Sequence, residues 1–261
     1  MSTSTAVAAT IPTMSFRFKQ FYIDDSRCAM KVGTDGVLLG AWCPITNPLT
    51  TNPLTTNPLT TNPLTRILDV GTGSGLIARM LMQRCPEAEV EAIDIDPAAV
   101  EQARENGVNA FCSSLQDWQI VNRQSSNRQL YDLIVSNPPY FQNSLKNPDK
   151  GRQTARHTDT LSYAELIHHS ARLLTEHGRL ALILPAEAEA EVRQLAAAAN
   201  LFLTRLTRVY SKESKPARRV LMAFEMSSSR DLEISVDSLT LEDEKGGRSA
   251  AYSELCKEFY L

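Results

Sequence analysis

The sequence predicts a mostly parallel α/β sheet with helices on both faces and an antiparallel pair of strands at one edge. Three observations carry that reading. From Arg66 to Met226, short apolar runs alternate with stretches of helical spacing, the pattern of strands joined by crossover helices. The first of these runs ends in a glycine-rich turn that opens a helix. The last two, FLTRLTRVY (202–210) and RRVLMAFEM (218–226), are joined by a charged segment with no helical stretch between them, which suits a hairpin.

The elements follow in order. Residues 1–14 are small and polar and are expected to be disordered. FRFKQFYI (16–23) alternates aromatic and polar residues and reads as a strand or hairpin arm. In RCAMKVGTDGVLLGAW (27–42), Val37, Leu38, Leu39 and Trp42 form a short apolar helical face, with Thr34 or Asp35 as candidate caps. Residues 47–65 read NPLTTNPLTTNPLTTNPLT. Proline at every fifth position forbids a regular helix, and one leucine per unit cannot build a core. The repeat is therefore expected to be an exposed linker between an N-terminal extension, 15–46, and a core spanning 66–230.

Within that core, RILDV (66–70) is a first strand and LIARMLMQRC (76–85) a helix. VEAIDI (90–95) is a second strand, and PAAVEQARENG (97–107) a helix with proline in its first turn and glycine at its end. NAFC (109–112), YDLIVS (131–136) and RLALILP (179–185) are the third to fifth strands. Residues 162–174 and 186–200 are helical, and the hairpin brings the total to seven strands. Residues 231–261 are expected to add a strand and a short helix.

Composition narrows the function classes. The chain has 261 residues and a net charge of -3, so it is no polybasic nucleic-acid coat, and contact with RNA or DNA must use local patches. Cys28, Cys43, Cys85, Cys112 and Cys256 are scattered and form no CxxC pair. Disulfides and a zinc site are not expected, and a reducing compartment fits. The four histidines form no metal constellation. The first residues lack the basic start and apolar core of a secretory signal, and no apolar run has membrane-spanning length. The expectation is a cytoplasmic protein, monomeric, with no metal and no membrane partner.

The turn after the first strand is DVGTGSG, Asp69 to Gly75. Glycines let a ligand approach the backbone closely, beside amides at a helix N-terminus. Two acids sharpen the motif. Asp94 ends the next strand, where a carboxylate can accept two hydroxyl hydrogen bonds from a ribose diol. Asp96, followed by Pro97, reads more naturally as a helix cap. Asp69 precedes the first glycine by two residues, and there it suits a cationic sulfonium and ammonium, whereas it would repel a pyrophosphate. The pair favours S-adenosylmethionine over a dinucleotide.

The fourth strand ends in Asn137, Pro138, Pro139 and Tyr140. In an open parallel sheet ligands bind beyond the carboxyl ends of the strands, so this turn and the glycine loop share a rim. An aromatic exocyclic amine is a poor nucleophile, because its lone pair is delocalised into the ring. The Asn137 side-chain oxygen and the Pro138 carbonyl can accept its two N–H groups and favour a pyramidal nitrogen. The prolines fix φ and hold that carbonyl in place. Tyr140 offers a flat face for a planar base.

DVGTGSG followed by SNPPY resembles the class I S-adenosylmethionine-dependent amino-methyltransferases, whose hallmark is (N/D/S)PP(Y/F). Their targets are adenine N6, guanine N2 or a glutamine amide. FKQFYIDDSRCAMKVGTDGVLLGAW (18–42) further resembles the bacterial family that methylates N6 of adenine 37 in valine tRNA. That likeness extends to ARHTDTLSYAELI (155–167), RRVLMAF (218–224) and the YSEL…FYL ending (252–261). The resemblance implies a class I methyltransferase Rossmann-like fold, S-adenosylmethionine as cofactor and tRNA as substrate. It implies Asn137 to Tyr140 as the catalytic loop, and Asp69, Gly71 and Gly73 along the methionine part. It also implies Asp94 at the ribose, Ser114 where the acceptor for the adenine is expected, and Gly75, Ile95 and Leu115 among the cofactor contacts. The segment Lys31 to Asp35, including Thr34, would lie over the methionine end. The family usually has an aspartate where Ser114 falls, and Asp117 is an alternative acceptor.

Two basic stretches are candidate RNA contacts. Lys146, Lys150, Arg152 and Arg156 follow the NPPY turn, with Asp149 the one acid among them. Arg205, Arg208, Lys212, Lys215, Arg218 and Arg219, with Glu213, lie where the last two strands are joined, and Arg218 and Arg219 are the candidate contacts among them. Other readings remain: a protein glutamine or DNA adenine methyltransferase, or a methyltransferase-like module without activity. A dinucleotide oxidoreductase explains neither Asp69 nor NPPY.

Overall fold

The structure is a computed structural model that describes residues 15–45, 65–124, 130–139, 161–227 and 233–261. The NPLTT repeat, apart from Thr65, lies outside the described residues.

The chain opens with a hairpin of β1 (Ser15–Arg17) and β2 (Tyr22–Asp24), paired antiparallel with Phe16 opposite Ile23. Helix α1 (Thr34–Trp42) follows. Its N-cap is Gly33, with no side-chain capping bond, so neither Thr34 nor Asp35 caps it. The alternating core then runs β3 (Arg66–Val70), α2 (Leu76–Arg84), β4 (Glu89–Asp94), α3 (Pro97–Glu105), β5 (Asn109–Cys112), α4 (Leu115–Gln124) and β6 (Tyr131–Ser136). It continues with α5 (Tyr163–Leu173), β7 (Leu174–Pro185), α6 (Glu189–Ala198), β8 (Leu201–Tyr210) and β9 (Arg219–Met226). A last strand, β10 (Ser235–Thr240), and helix α7 (Ala250–Leu255) complete it.

The main sheet has the order β10-β8-β9-β7-β6-β3-β4-β5. Only β9 runs against its neighbours β7 and β8; the other pairings are parallel. The seven expected strands are joined by an eighth, because the C-terminal strand adds to the edge of the same sheet beside β8. The chain works outward from β3 through β4 to β5, then returns to lay β6 on the other side of β3. That reversal leaves a crevice at the carboxyl ends of β3 and β6, where open α/β sheets bind ligands.

The sheet is buried on both faces, and strand alternation divides the core in two. Ile67, Leu133, Val135, Ala181 and Ile183 face one layer, built from α1, α2, α3, α7 and the β1–β2 hairpin. Leu68, Ile134, Leu180, Leu182 and Phe224 face the other, built from α4, α5 and α6. Both ends of the chain enter the first layer: Phe18 and Phe21 pack with Tyr252 and Phe259. The Lys19 N–H donates to the Phe259 carbonyl at 2.8 Å, and the rings of Phe18 and Tyr260 stack at 6.1 Å.

Local chemistry sets several helix starts. Asp96 caps α3 by accepting from the Ala98 N–H at 2.9 Å, with Pro97 next to it. Ser162 and Glu165 form a reciprocal capping box at the start of α5. Helix α4, which the sequence reading leaves without an element, begins at Ser114: its Oγ accepts from the Asp117 N–H at 3.0 Å.

Candidate active site

Four parallel strands end on one rim. Val70 of β3 lies opposite Ser136 of β6 and Ile93 of β4, and Asp94 lies opposite Cys112 of β5. The turns that leave these ends surround a cavity of about 980 Å3.

The first turn is the glycine loop. Gly71 and Gly73 have φ of 70° and 55°, the left-handed region that glycine enters without strain. A Cβ at either would meet nothing within 4 Å, so both present bare backbone to open space in the cavity wall. Gly75 differs. It is outside the cavity wall, and a Cβ there would stand 2.7 Å from Val108 Cγ2 and 3.3 Å from the Ala103 Cβ. Gly75 is the N-cap of α2, and its missing side chain lets α2 pack closely on the end of α3. Its place among the cofactor contacts is corrected accordingly.

Asp69 is also displaced from its expected position along the methionine part. Its side chain is fully buried beneath the loop and does not line the cavity. Oδ2 accepts from the Thr72 hydroxyl at 2.7 Å and from the Ala78 N–H at 3.2 Å. It thereby ties the loop to the first turn of α2, while Oδ1 has no hydrogen-bond partner. Burial pushes this carboxyl up from the usual 3.8 to about 7. The folded protein therefore keeps a proton that the unfolded chain gives up near pH 4. Stability from this group is greatest at low pH and declines as pH rises from about 4 to about 7. Thermal melts across that range should show the wild type losing ground to Asp69→Asn as pH increases, with the difference constant above about pH 7 to 8. A difference that stays flat with pH means the carboxyl is ionised throughout.

Asp94 ends β4 and lines the cavity. Its Oδ2 accepts from the Gly73 N–H at 2.9 Å and its Oδ1 from the Asp96 N–H at 3.0 Å. Two backbone amides thus fix the carboxylate, and each oxygen keeps a lone pair for a further donor. Beside it Ile95 is 57% exposed in the cavity wall.

At the end of β5, Ser113, Ser114, Leu115 and Gln116 line the next stretch of wall. The Ser114 hydroxyl donates to Asp117 Oδ2 at 2.7 Å while capping α4. Asp117 is exposed and outside the cavity wall, so of the two alternatives only Ser114 faces the cavity. The departure from the family's aspartate has a structural use here, as a helix cap.

The segment from Cys28 to Gly36 forms the opposite wall. It includes Lys31, Thr34 and Asp35, and it is strapped at both ends. Arg27 Nε donates to Gln102 Oε1 at 3.2 Å, and its guanidinium pairs with Glu105 on α3. The Val32 N–H donates to Asp25 Oδ2 at 2.7 Å, and Lys31 Nζ donates to the Asp25 carbonyl at 2.6 Å. Asp35 accepts from Arg219 Nε at 3.0 Å, which fastens the far end to β9. Arg219 is therefore engaged within the wall, whereas the Arg218 side chain is exposed.

The last turn is Asn137, Pro138 and Pro139, all in the cavity wall. Ser136 is buried, and its hydroxyl donates to the Val70 carbonyl at 2.8 Å, which couples this turn to the root of the glycine loop. Asn137 is half-buried, with Nδ2 3.9 Å from Met30 Sδ. Tyr140, Lys146, Lys150, Arg152 and Arg156 lie outside the described residues.

Sequence reading missed Met30, Ser136 and Glu165 of this wall. For Glu165 the SYAE capping-box pattern was a usable signal for the helix start, though not for the face it presents. Hydrogen bonds from Ser162 hold the Glu165 carboxyl below the usual range. Among the described residues, no three His, Cys, Asp or Glu side chains are gathered so as to hold a metal ion, and no helix is long and apolar enough to cross a membrane.

The bare backbone of Gly71 and Gly73, the braced Asp94 carboxylate and the open wall between them fit S-adenosylmethionine. With the strand order and the Asn-Pro-Pro turn, they define a class I S-adenosylmethionine-dependent methyltransferase. The family described as Methyltransferase small domain matches residues 51–202. A tRNA1(Val) (adenine(37)-N6)-methyltransferase from Phocaeicola vulgatus is 42% identical over 255 residues, covering 96% of this chain and 99% of that protein. One of the same description from Parabacteroides distasonis is 42% identical over 249 residues, covering 94% of this chain and 97% of that protein. The chain belongs to the tRNA1(Val) (adenine(37)-N6)-methyltransferase family. A solved structure from Agrobacterium tumefaciens, described as a predicted O-methyltransferase, shares the fold at a TM-score of 0.59 and 16% identity, over 86% of this chain and 96% of that one.

Proposed function

We propose that this enzyme methylates N6 of adenine 37 in valine tRNA. One observation carries the reading: the Asn137-Pro138-Pro139 turn and the glycine loop open from neighbouring strands onto one cavity. When bound, S-adenosylmethionine supplies an electrophilic methyl group. Asp94 would hold its ribose hydroxyls, Gly71 and Gly73 would admit its methionine part, and Ile95, Ser114 and Leu115 would enclose its adenine. Lys31, Thr34 and Asp35 wall the methionine end from the opposite side.

In the same cavity, Asn137 Oδ1 and the Pro138 carbonyl accept the two N–H groups of the target amine. These bonds draw the nitrogen out of conjugation and turn its lone pair toward the methyl group. Tyr140 stacks on the everted base. Arg218 and the basic residues Lys146, Lys150, Arg152 and Arg156 grip flanking phosphates. Arg219 serves the site through Asp35. The enzyme acts as a monomer in the cytoplasm, a setting that suits its five unpaired cysteines.

The test incubates the protein with tritiated S-adenosylmethionine and total tRNA from a strain lacking the modification, then separates the digested nucleosides. Label is expected in N6-methyladenosine, and sequencing the labelled tRNA should place it at position 37 of valine tRNA. Cofactor binding with no label in RNA redirects the search to protein glutamine or DNA.

A further inference from the structure

Two large apolar side chains stand exposed in the cavity wall among the described residues: Ile95, at 57%, and Met30, at 49%. Ile95 is next to Asp94, at the cofactor end. Met30 has its sulfur 3.9 Å from the Asn137 amide nitrogen. A thioether left half exposed in a cavity wall is stabilised when something apolar covers it. The group expected there is a flat heteroaromatic base, and polarisable sulfur makes favourable contacts with such rings.

The side chain is also held in place from behind. After Met30, the Val32 N–H and the Lys31 side chain bond to Asp25; before it, Arg27 anchors the strap to α3. The contact with Asn137 has a direction. A thioether has no hydrogen to donate and accepts weakly, so it faces the amide nitrogen and disfavours the amide oxygen. With Nδ2 toward Met30 at 3.9 Å, Oδ1 is turned away from the sulfur.

Resting on the function proposed above, we propose that Met30 positions the target base: its thioether is an apolar surface against which the everted adenine packs, and it keeps the Asn137 oxygen turned to the amine. No role in cofactor binding follows from this placement. The roles separate by variant, because leucine keeps the apolar volume without the sulfur and alanine removes both.

The experiment measures methyl transfer to tRNA, cofactor affinity by calorimetry, and the fluorescence of tRNA carrying 2-aminopurine at position 37, for wild type, Met30→Ala and Met30→Leu. Met30→Ala is expected to raise the KM for tRNA roughly tenfold, the loss of apolar contact area corresponding to about 1.4 kcal/mol. It should also change the 2-aminopurine signal of the bound complex, with cofactor affinity unchanged. Met30→Leu should restore the KM and the fluorescence while leaving kcat reduced. The inference is overturned if KM and fluorescence are unchanged in Met30→Ala, or if cofactor affinity falls with them in both variants. A wild type that labels no tRNA instead removes the underlying function, and the inference with it.

Discussion

Replacing Asn137 by alanine is expected to slow methyl transfer roughly a hundred- to a thousandfold, the range found when one preorganised hydrogen-bonding group is removed from a reacting centre. The amine nitrogen is a nucleophile only when its lone pair is freed from the ring. In the proposed function, Asn137 Oδ1 and the Pro138 carbonyl are the two acceptors that free it. Removing the side chain leaves one, and the amine relaxes toward planarity. Because the bonds assigned to Asn137 are made to the target amine, cofactor affinity should stay within about twofold, far below the weight of one hydrogen bond to a charged group. Single-turnover rates with saturating tRNA and cofactor separate the two quantities. Asn137→Asp is informative as well: a carboxylate has two acceptors but cannot donate to Met30, so it should recover part of the rate lost in the alanine variant. An alanine variant that keeps more than a tenth of the wild-type rate would falsify the role given to Asn137.

Asp94→Ala is expected to weaken S-adenosylmethionine binding by a hundredfold or more. Two hydrogen bonds from a ribose diol to a carboxylate are worth about 1.5–3 kcal/mol each, and either figure doubled exceeds two decades in Kd. The substitution also frees the Gly73 and Asp96 amides that the carboxylate now holds at 2.9 and 3.0 Å, so the loop loses part of its brace. Asp94→Asn keeps one acceptor oxygen and should fall between the two. Calorimetric titration with S-adenosylhomocysteine measures the series without turnover. A change below threefold in Asp94→Ala would assign the diol to another group. Asp96 is then the nearest candidate, although its Oδ1 is already engaged in capping α3.

The sheet and the rim of the site were legible because they depend on neighbours in sequence. Period-two alternation put Ile67 and Leu68 on opposite faces, the glycine spacing marked the loop, and Asp94 had to fall at a strand end. Alternation also carried a warning about Asp69. It shares a face with Ile67, toward α2, and so is turned under the loop, but the motif's chemistry pointed outward. Gly75 was misplaced because its constraint comes from Val108, thirty-three positions away and silent in any local pattern. The ion pairs of the basic stretch around β8 and β9 were hidden for a similar reason. Arg205, Arg208, Lys212 and Arg219 face Asp237, Glu189, Glu242 and Asp35, and none of those pairings can be read from spacing. Met30 was invisible because an isolated methionine in a loop has no periodicity to place it.

The packing of Phe18 and Phe21 on Tyr252 and Phe259 has a consequence for how the enzyme can be cut. The hairpin that leads into the wall carrying Met30 and Lys31 rests on aromatic rings more than two hundred positions away in sequence. A truncation before Tyr252 would leave the glycine loop and the Asn-Pro-Pro turn on the sheet but take away the floor beneath the strap, so the damage would fall on a wall that the deleted residues never touch.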